Sequence, residues 1–190
     1  MNAYDFDGTI YDGDSTVDFF RFCAKRSFKI RFLTPYYLLG FIPFKMGIIN
    51  KTRAKRHFYN FVRAVPDIDG AVKEFWDKNQ TKIKGWYRKN SRPDDIVLSA
   101  SPRFTLRVIC ARLKIERLIC SEVNEKTGEY TGLNCHGEEK VRRLEKEYPG
   151  AAIEEFYSDS FNDAPLARIS QKAFCVRGDK IYPWDEYFSK

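Results

Sequence analysis

Asn2-Ala3-Tyr4-Asp5-Phe6-Asp7-Gly8-Thr9 decides how this chain folds. Asn2 to Phe6 reads as a short buried strand, and Gly8 lets the backbone turn sharply and stops it. In an extended backbone residues i and i+2 share a face, so Asp5 and Asp7 project together. Two carboxylates in one small space repel, and each needs a cation or a proton to be tolerated. Alone, such a pair also reads as solvated loop acids; a second acidic strand end beside it would mark a site.

Outward from this stretch, helical patterns begin at Ser15, with Asp14 or Ser15 as N-cap. They recur to about Tyr87, broken at Pro35, Pro43, Gly47 and Pro66. Ile96–Ser99 reads as a second buried strand. A helix follows, with Pro102 in its first turn and Leu106, Ile109, Cys110 and Leu113 on its apolar face. Arg117–Cys120 is a third strand, 125–129 a hairpin turn between Val123 and Tyr130, and Glu138–Tyr148 an amphipathic helix. Strand Ile153–Tyr157, helix Pro165–Ile169 and strand Ala173–Val176 complete the alternation. Strands alternating with helices predict an α/β, Rossmann-like parallel sheet with helices on both faces and a helical insert after its first strand.

The strand Ile153–Tyr157 runs into a second acidic cluster, Ser158-Asp159-Ser160-Phe161-Asn162-Asp163. The carboxyl ends of strands in such a sheet share one edge, where ligands bind. Asp5, Asp7, Asp159 and Asp163 are therefore expected to converge. Such an oxygen-rich site suits Mg²⁺. Ser99-Ala100-Ser101-Pro102 reaches the same edge at a helix start, where N–H groups and a hydroxyl can hold an anion. Lys140, near another helix start, can counter a phosphate and the acids around it.

Composition narrows the functional classes. The 190 residues are 43% hydrophobic and 16% aromatic, which excludes intrinsic disorder. Five scattered Cys with no CxxC pair argue against a disulfide scaffold or a zinc site and for a reducing cytosol. The first residues show neither the basic nor the apolar region of a signal peptide. The net charge is +7, yet Phe19 to Pro66 carries eleven Lys/Arg and no acid, leaving 22 basic against 26 acidic residues elsewhere. Within that segment the apolar run Phe32–Phe44 is interrupted by Pro35, Gly40 and Pro43 and falls short of the about 20 residues that span a bilayer. No transmembrane helix is expected. Two readings stay open for the segment: interfacial contact with an anionic membrane, with Tyr36, Tyr37, Phe41 and Phe44 at headgroup level, or a cap whose core holds these aromatics and whose cations funnel a soluble phosphate. No nucleic-acid fold signature accompanies the basic charge.

Asp5-Phe6-Asp7-Gly8-Thr9, Val97-Leu98-Ser99-Ala100-Ser101, Lys140 and Asp159-Ser160-Phe161-Asn162-Asp163 resemble, in order and form, the four motifs of the haloacid dehalogenase (HAD) phosphatase superfamily. The insert lies where the phosphoserine-phosphatase-like branch carries its helical cap. The resemblance implies a catalytic core of 1–14 and 88–190 and a cap of 15–87. It makes Asp5 the nucleophile of an aspartyl-phosphate mechanism and Asp7 the general acid and base. Gly8, Thr9, Ser99, Ala100, Lys140 and Asn162 would surround the phosphoryl group. Asp5, Asp7 through its main-chain carbonyl, Asp159 and Asp163 would serve Mg²⁺. The second Asp of the first motif fits phosphoryl transfer rather than dehalogenation.

Cys135–Val141 and Tyr157–Leu166 also resemble the bacterial phosphatidylglycerophosphate phosphatases of this branch, which carry an apolar, basic cap. The expectation is a Mg²⁺-dependent phosphomonoester hydrolase acting on a lipid phosphate. Its place would be cytoplasmic, peripheral to the inner face of the membrane. The alternatives are a phosphatase of a soluble metabolite such as phosphoserine, with Asp14 facing the ammonium, and a non-catalytic phosphate- or lipid-binding module.

Overall fold

The computed structural model describes residues 1–49 and 51–188. Six strands form one sheet in the order β3-β2-β1-β4-β5-β6. They are β1 (Ala3–Tyr4), β2 (Ile96–Pro102), β3 (Arg117–Ser121), β4 (Glu155–Ser158), β5 (Lys172–Arg177) and β6 (Lys180–Pro183). The first five pair in parallel, and β6 returns antiparallel along β5. The expected parallel sheet is present. Sequence reading passed over β6 and the helix α11 (Trp184–Phe188) because the hairpin Gly178-Asp179 joins two short strands with little apolar alternation.

Both faces of the sheet are covered, and the period of two explains how. Tyr4 and Val97 enter one hydrophobic cluster, whereas their neighbours Ala3, Ile96 and Leu98 enter the other. The second cluster is closed by α9 (Glu138–Glu147), α10 (Ala164–Ile169) and α11, through Leu144, Leu166 and Trp184. The first is closed by α8 (Arg103–Arg112) and by helices between β1 and β2. Pro102 ends β2 and caps α8 rather than opening its first turn, because the strand runs on past Ser99.

The insert comprises α1 (Ser15–Arg26), α2 (Phe28–Phe32), α3 (Thr34–Leu38), α4 (Phe41–Lys45), α5 (Lys51–Tyr59), α6 (Ile68–Asn79) and α7 (Gly85–Asn90), with two short 3-10 turns. Asp14 caps α1 by accepting from the Val17 N–H at 2.9 Å. The helical run breaks ahead of Pro35 and Pro43, and each proline lies inside the first turn of the next helix, α3 or α4, where no intrahelical N–H is needed. The insert packs directly on the sheet layer. Phe19 of α1 meets Phe104 of α8, ring centroids 6.2 Å apart, and the Trp76 indole of α6 donates to the Thr105 carbonyl of α8 at 2.6 Å. These aromatics are almost fully buried, each stabilising the fold by about 1.5–3 kcal/mol. All five cysteines are buried and unpaired. Among the described residues no helix is long and apolar enough to cross a membrane.

Candidate active site

Strand order reverses at β1: β2 and β3 are added on one side of it and β4 and β5 on the other. A crevice therefore opens beyond its carboxyl end. The Asp5 N–H donates to the Tyr157 carbonyl at 2.9 Å, continuing the β1–β4 ladder by one residue and fixing Asp5 at the lip. Gly8 has φ +74°, and a Cβ there would overlap the Asp159 carboxylate. Only glycine lets this turn pass so close to the end of β4. Thr9 secures the approach: its hydroxyl accepts the Asp159 N–H at 2.9 Å.

A cavity of about 870 Å³ fills this crevice and extends beneath the insert. Asp5, Asp7, Gly8, Ala100, Lys140, Asp159, Asn162 and Asp163 all line it, so the four strand-end acids come together and Lys140 joins them. Two predicted residues sit elsewhere. Ser99 is buried behind the lining, its hydroxyl accepting the Ser101 N–H at 3.1 Å, and Thr9 is fully buried in its bond to Asp159. The cause at Ser99 is a pairing irregularity in β2 between Ser99 and Pro102, which carries Ala100 and Ser101 past the sheet edge. Ser101 faces the cavity instead.

Lys140 is the electrostatic centre. It is 1% exposed, and its ammonium donates to Asp5 Oδ1 at 2.7 Å and to Asp163 Oδ2 at 2.8 Å. Burial disfavours the charge, but Asp5 and Asp163 outweigh that cost and hold the lysine protonated. Burial raises the Asp5 carboxyl to about 7, with Lys140 pulling it back and Asp163 pushing it further up. Asp163 also accepts the Ser158 hydroxyl at 2.8 Å.

Asp7 is held differently. Its Oδ1 accepts the Ser15 N–H at 2.6 Å, at the start of α1, and its Oδ2 accepts the Ser101 hydroxyl. Burial and the nearby Asp14 charge raise it to about 6, against these two hydrogen bonds. The two carboxyls of the first motif thus differ in role. One faces an ammonium, the other faces neutral donors.

Asp159 is raised by burial, and no salt bridge reaches it among the described residues. Its carboxylate oxygens stay available beside the Asp7-Gly8 turn. Among the described residues, no three His, Cys, Asp or Glu side chains form a metal cluster, and the Lys140 ammonium lies between Asp5 and Asp163. The available set is two carboxylates, Asp5 and Asp159, with main-chain oxygen. That all-oxygen set fits Mg²⁺, which keeps several waters and takes one or two carboxylates plus substrate phosphate.

The model for the family described as "haloacid dehalogenase-like hydrolase" matches residues 3–168. The chain belongs to the haloacid dehalogenase-like hydrolase family. No curated protein matches it. Among solved structures, a protein of unknown function from Bordetella pertussis Tohama I is similar at TM-score 0.77 and 18% identity, over 91% of this chain and 87% of that one. A HAD family hydrolase from Salmonella enterica serovar Typhi gives 0.63 and 11%, over 90% and 60%. A phosphoserine phosphohydrolase-like protein from Francisella tularensis gives 0.58 and 15%, over 91% and 86%. These likenesses establish a shared fold for this HAD-like hydrolase.

Several residues escaped sequence reading. Ser15 and Ser101 hold Asp7, and neither motif spacing nor periodicity marks a second serine over the first. Lys84 is buried and donates to the Gly8 carbonyl at 2.5 Å and the Gly178 carbonyl at 2.8 Å, tying the Asp7-Gly8 turn to the β5–β6 hairpin. Lys55 of the basic stretch reaches the cavity and donates to the Ala100 carbonyl at 3.4 Å.

Proposed function

We propose that this HAD-like hydrolase cleaves phosphomonoesters through a covalent intermediate on Asp5. A carboxylate oxygen of Asp5 attacks phosphorus as the ester P–O bond breaks. Asp7 delivers its proton to the leaving alkoxide. Asp7, now ionised, accepts a proton from water, whose oxygen attacks phosphorus as the P–O bond to Asp5 breaks. Phosphate, the Asp5 carboxylate and protonated Asp7 result. Lys140 orients Asp5 and faces the phosphoryl oxygens with positive charge, alongside the N–H groups around Ala100. Asp5, Asp159 and the Asp7 main-chain carbonyl would hold Mg²⁺, with Asp163 supporting Lys140. When bound, the ion offsets the charge on the transferring phosphoryl group.

The observation that carries this reading is the split environment of Asp5 and Asp7. The Lys140 ammonium on Asp5 favours the ionised, attacking form, whereas Asp7, held by the Ser15 N–H and the Ser101 hydroxyl, has no cation on it and suits a group that gives and takes a proton. Hydrolysis of p-nitrophenyl phosphate in Mg²⁺ tests it. Wild type should turn over and Asp5→Asn, folded by circular dichroism, should not. A folded wild-type protein inert on a broad phosphomonoester panel would leave only the binding-module reading.

For the substrate we infer a phosphomonoester with an apolar body, a lipid phosphate such as phosphatidylglycerophosphate. The support is the wall of the cavity opposite the acids, where Val17, Phe20, Leu38, Phe41 and Phe58 present apolar surface. The soluble alternative, phosphoserine, has one observation in its favour. Asp14 and Arg21 line the same cavity and offer opposite charges to an amino acid. Ranking kcat/KM over lipid and soluble phosphomonoesters separates the two.

A further inference from the structure

Thirteen large apolar side chains are strongly exposed among the described residues, and eight of them fall between Phe28 and Ile48. They are therefore a patch rather than a scatter. Its outermost members are Phe28 and Phe32 (each 72% exposed), Met46 (69%), Ile48 (67%), Ile42 (55%) and Leu39 (51%). Helix geometry groups them. Phe28 and Phe32 stand one turn apart on α2, rings stacked at 6.1 Å, while Ile30 faces inward and is buried. Ile42 and Met46 repeat the spacing at α4, a helix that buries none of its residues. Exposed Lys25, Lys29, Arg31 and Lys45 lie among them in sequence, and the Arg31 guanidinium sits 5.4 Å from the Phe28 ring centroid.

From these observations we propose that α2–α4 form a docking face for an anionic lipid surface. Charge chooses the occupant. The exposed Lys25, Lys29, Arg31 and Lys45 stand among the apolar side chains and no acid falls between Phe19 and Pro66, so the patch repels a second copy of itself and attracts a negative plane. Each of these helices is five residues long, so they lie on the surface as separate short amphipathic pieces rather than crossing it. The face is also continuous with the catalytic cavity. Thr34, Leu38 and Phe41 of the same helices line its apolar wall, so a molecule partly withdrawn from lipid meets the cavity directly. This partner is independent of whether Asp5 performs hydrolysis.

Vesicle co-sedimentation of the full chain tests the face, using phosphatidylcholine alone and phosphatidylcholine mixed with phosphatidylglycerol. The expected result is binding to the anionic vesicles only, falling as salt is raised. Neutralising Lys25, Lys29, Arg31 and Lys45 to Gln should weaken it by roughly fivefold per cation. The apolar variant Phe28→Ser, Phe32→Ser, Ile42→Ser, Met46→Ser should also release the protein. None of these eight residues lines the cavity, so p-nitrophenyl phosphate turnover should stay within twofold of wild type, at about the same KM, confirming that the variants fold. Wild type that ignores anionic vesicles, or binding unmoved by both variants, overturns the proposal. So does a wild-type dimer in light scattering that the Ser variant dissolves, which would assign the face to a second copy. Failure of turnover with intact vesicle binding would sink the proposed hydrolysis and leave the docking face standing.

Discussion

Replacing Lys140 by Met keeps length and apolar volume and removes one charge from the centre of the site. The side chain is 2% exposed and bridges Asp5 and Asp163, whose side chains are 13% and 4% exposed. Removing one partner of a buried ion pair leaves the other charge uncompensated, at about 3–5 kcal/mol. Here two carboxyls lose their counterion together. The loss should sit in the upper part of that range, about 4–5 kcal/mol, lowering Tm by about 8–20 °C at roughly 2–4 °C per kcal/mol for a chain of this size. The pH dependence follows from the same geometry. Without the ammonium, burial and the Asp163 charge hold the folded-state pKa of Asp5 above its unfolded value. Its stabilisation is then present below the unfolded pKa and lost as pH rises through the folded one. The deficit of Lys140→Met against wild type should therefore grow between about pH 5 and pH 8. Asp163→Asn added to Lys140→Met should recover part of it, since one of the two stranded charges is gone. Chemical denaturation at several pH values measures all three quantities. A loss of about 1 kcal/mol or less, the range of exposed pairs, or a deficit flat with pH, would refute the reasoning.

Gly8→Ala should cost about 1–3 kcal/mol for its left-handed backbone and displace the Asp159 carboxylate, so a Tm drop should accompany a loss of turnover; unchanged turnover would mean the turn can yield. Asp7→Asn should reduce hydrolysis of alkyl phosphates by about 10²–10⁴-fold and that of activated aryl phosphates far less, as steady-state kinetics on both will tell. Equal losses would make Asp7 structural. Mg²⁺ should raise Tm, by about 2.7 kcal/mol of added stability at 100 times its Kd, and Asp159→Ala should erase the shift in differential scanning fluorimetry; a retained shift would place the ion elsewhere. Glu139, held by Arg142 and Arg143 and depressed to about 2, contributes stability present above the unfolded carboxylate pKa and lost as pH falls towards 2. Glu139→Gln should flatten the acid limb of the stability–pH curve, and an unchanged limb would show that the pair contributes nothing measurable.

The sequence by itself determined whatever rests on a few adjacent residues. The Asp5–Thr9 turn, the capping role of Asp14, the strand Ile96–Ser99 and the amphipathic Glu138–Glu147 helix were all legible, because sterics and short-range burial act within a turn or a pleat. The convergence of Asp5 with Asp159 was legible too, since parallel strands must end on one edge. Tertiary structure alone decided which atoms meet there. Lys140 lies 135 residues from Asp5, and only the sheet order β2-β1-β4 with α9 packed behind it brings the ammonium between Asp5 and Asp163. The irregularity in β2 put Ser101 rather than Ser99 on Asp7, although both serines share a strand face by simple alternation. Lys55 left the basic stretch for the cavity, whereas Phe28 and Phe32 stayed in water with Lys29 and Arg31. Composition cannot separate a cation that faces a ligand from one that faces solvent, nor an aromatic in the core from one on the surface. That choice belongs to long-range packing, where each side chain competes for the limited volume beneath the sheet.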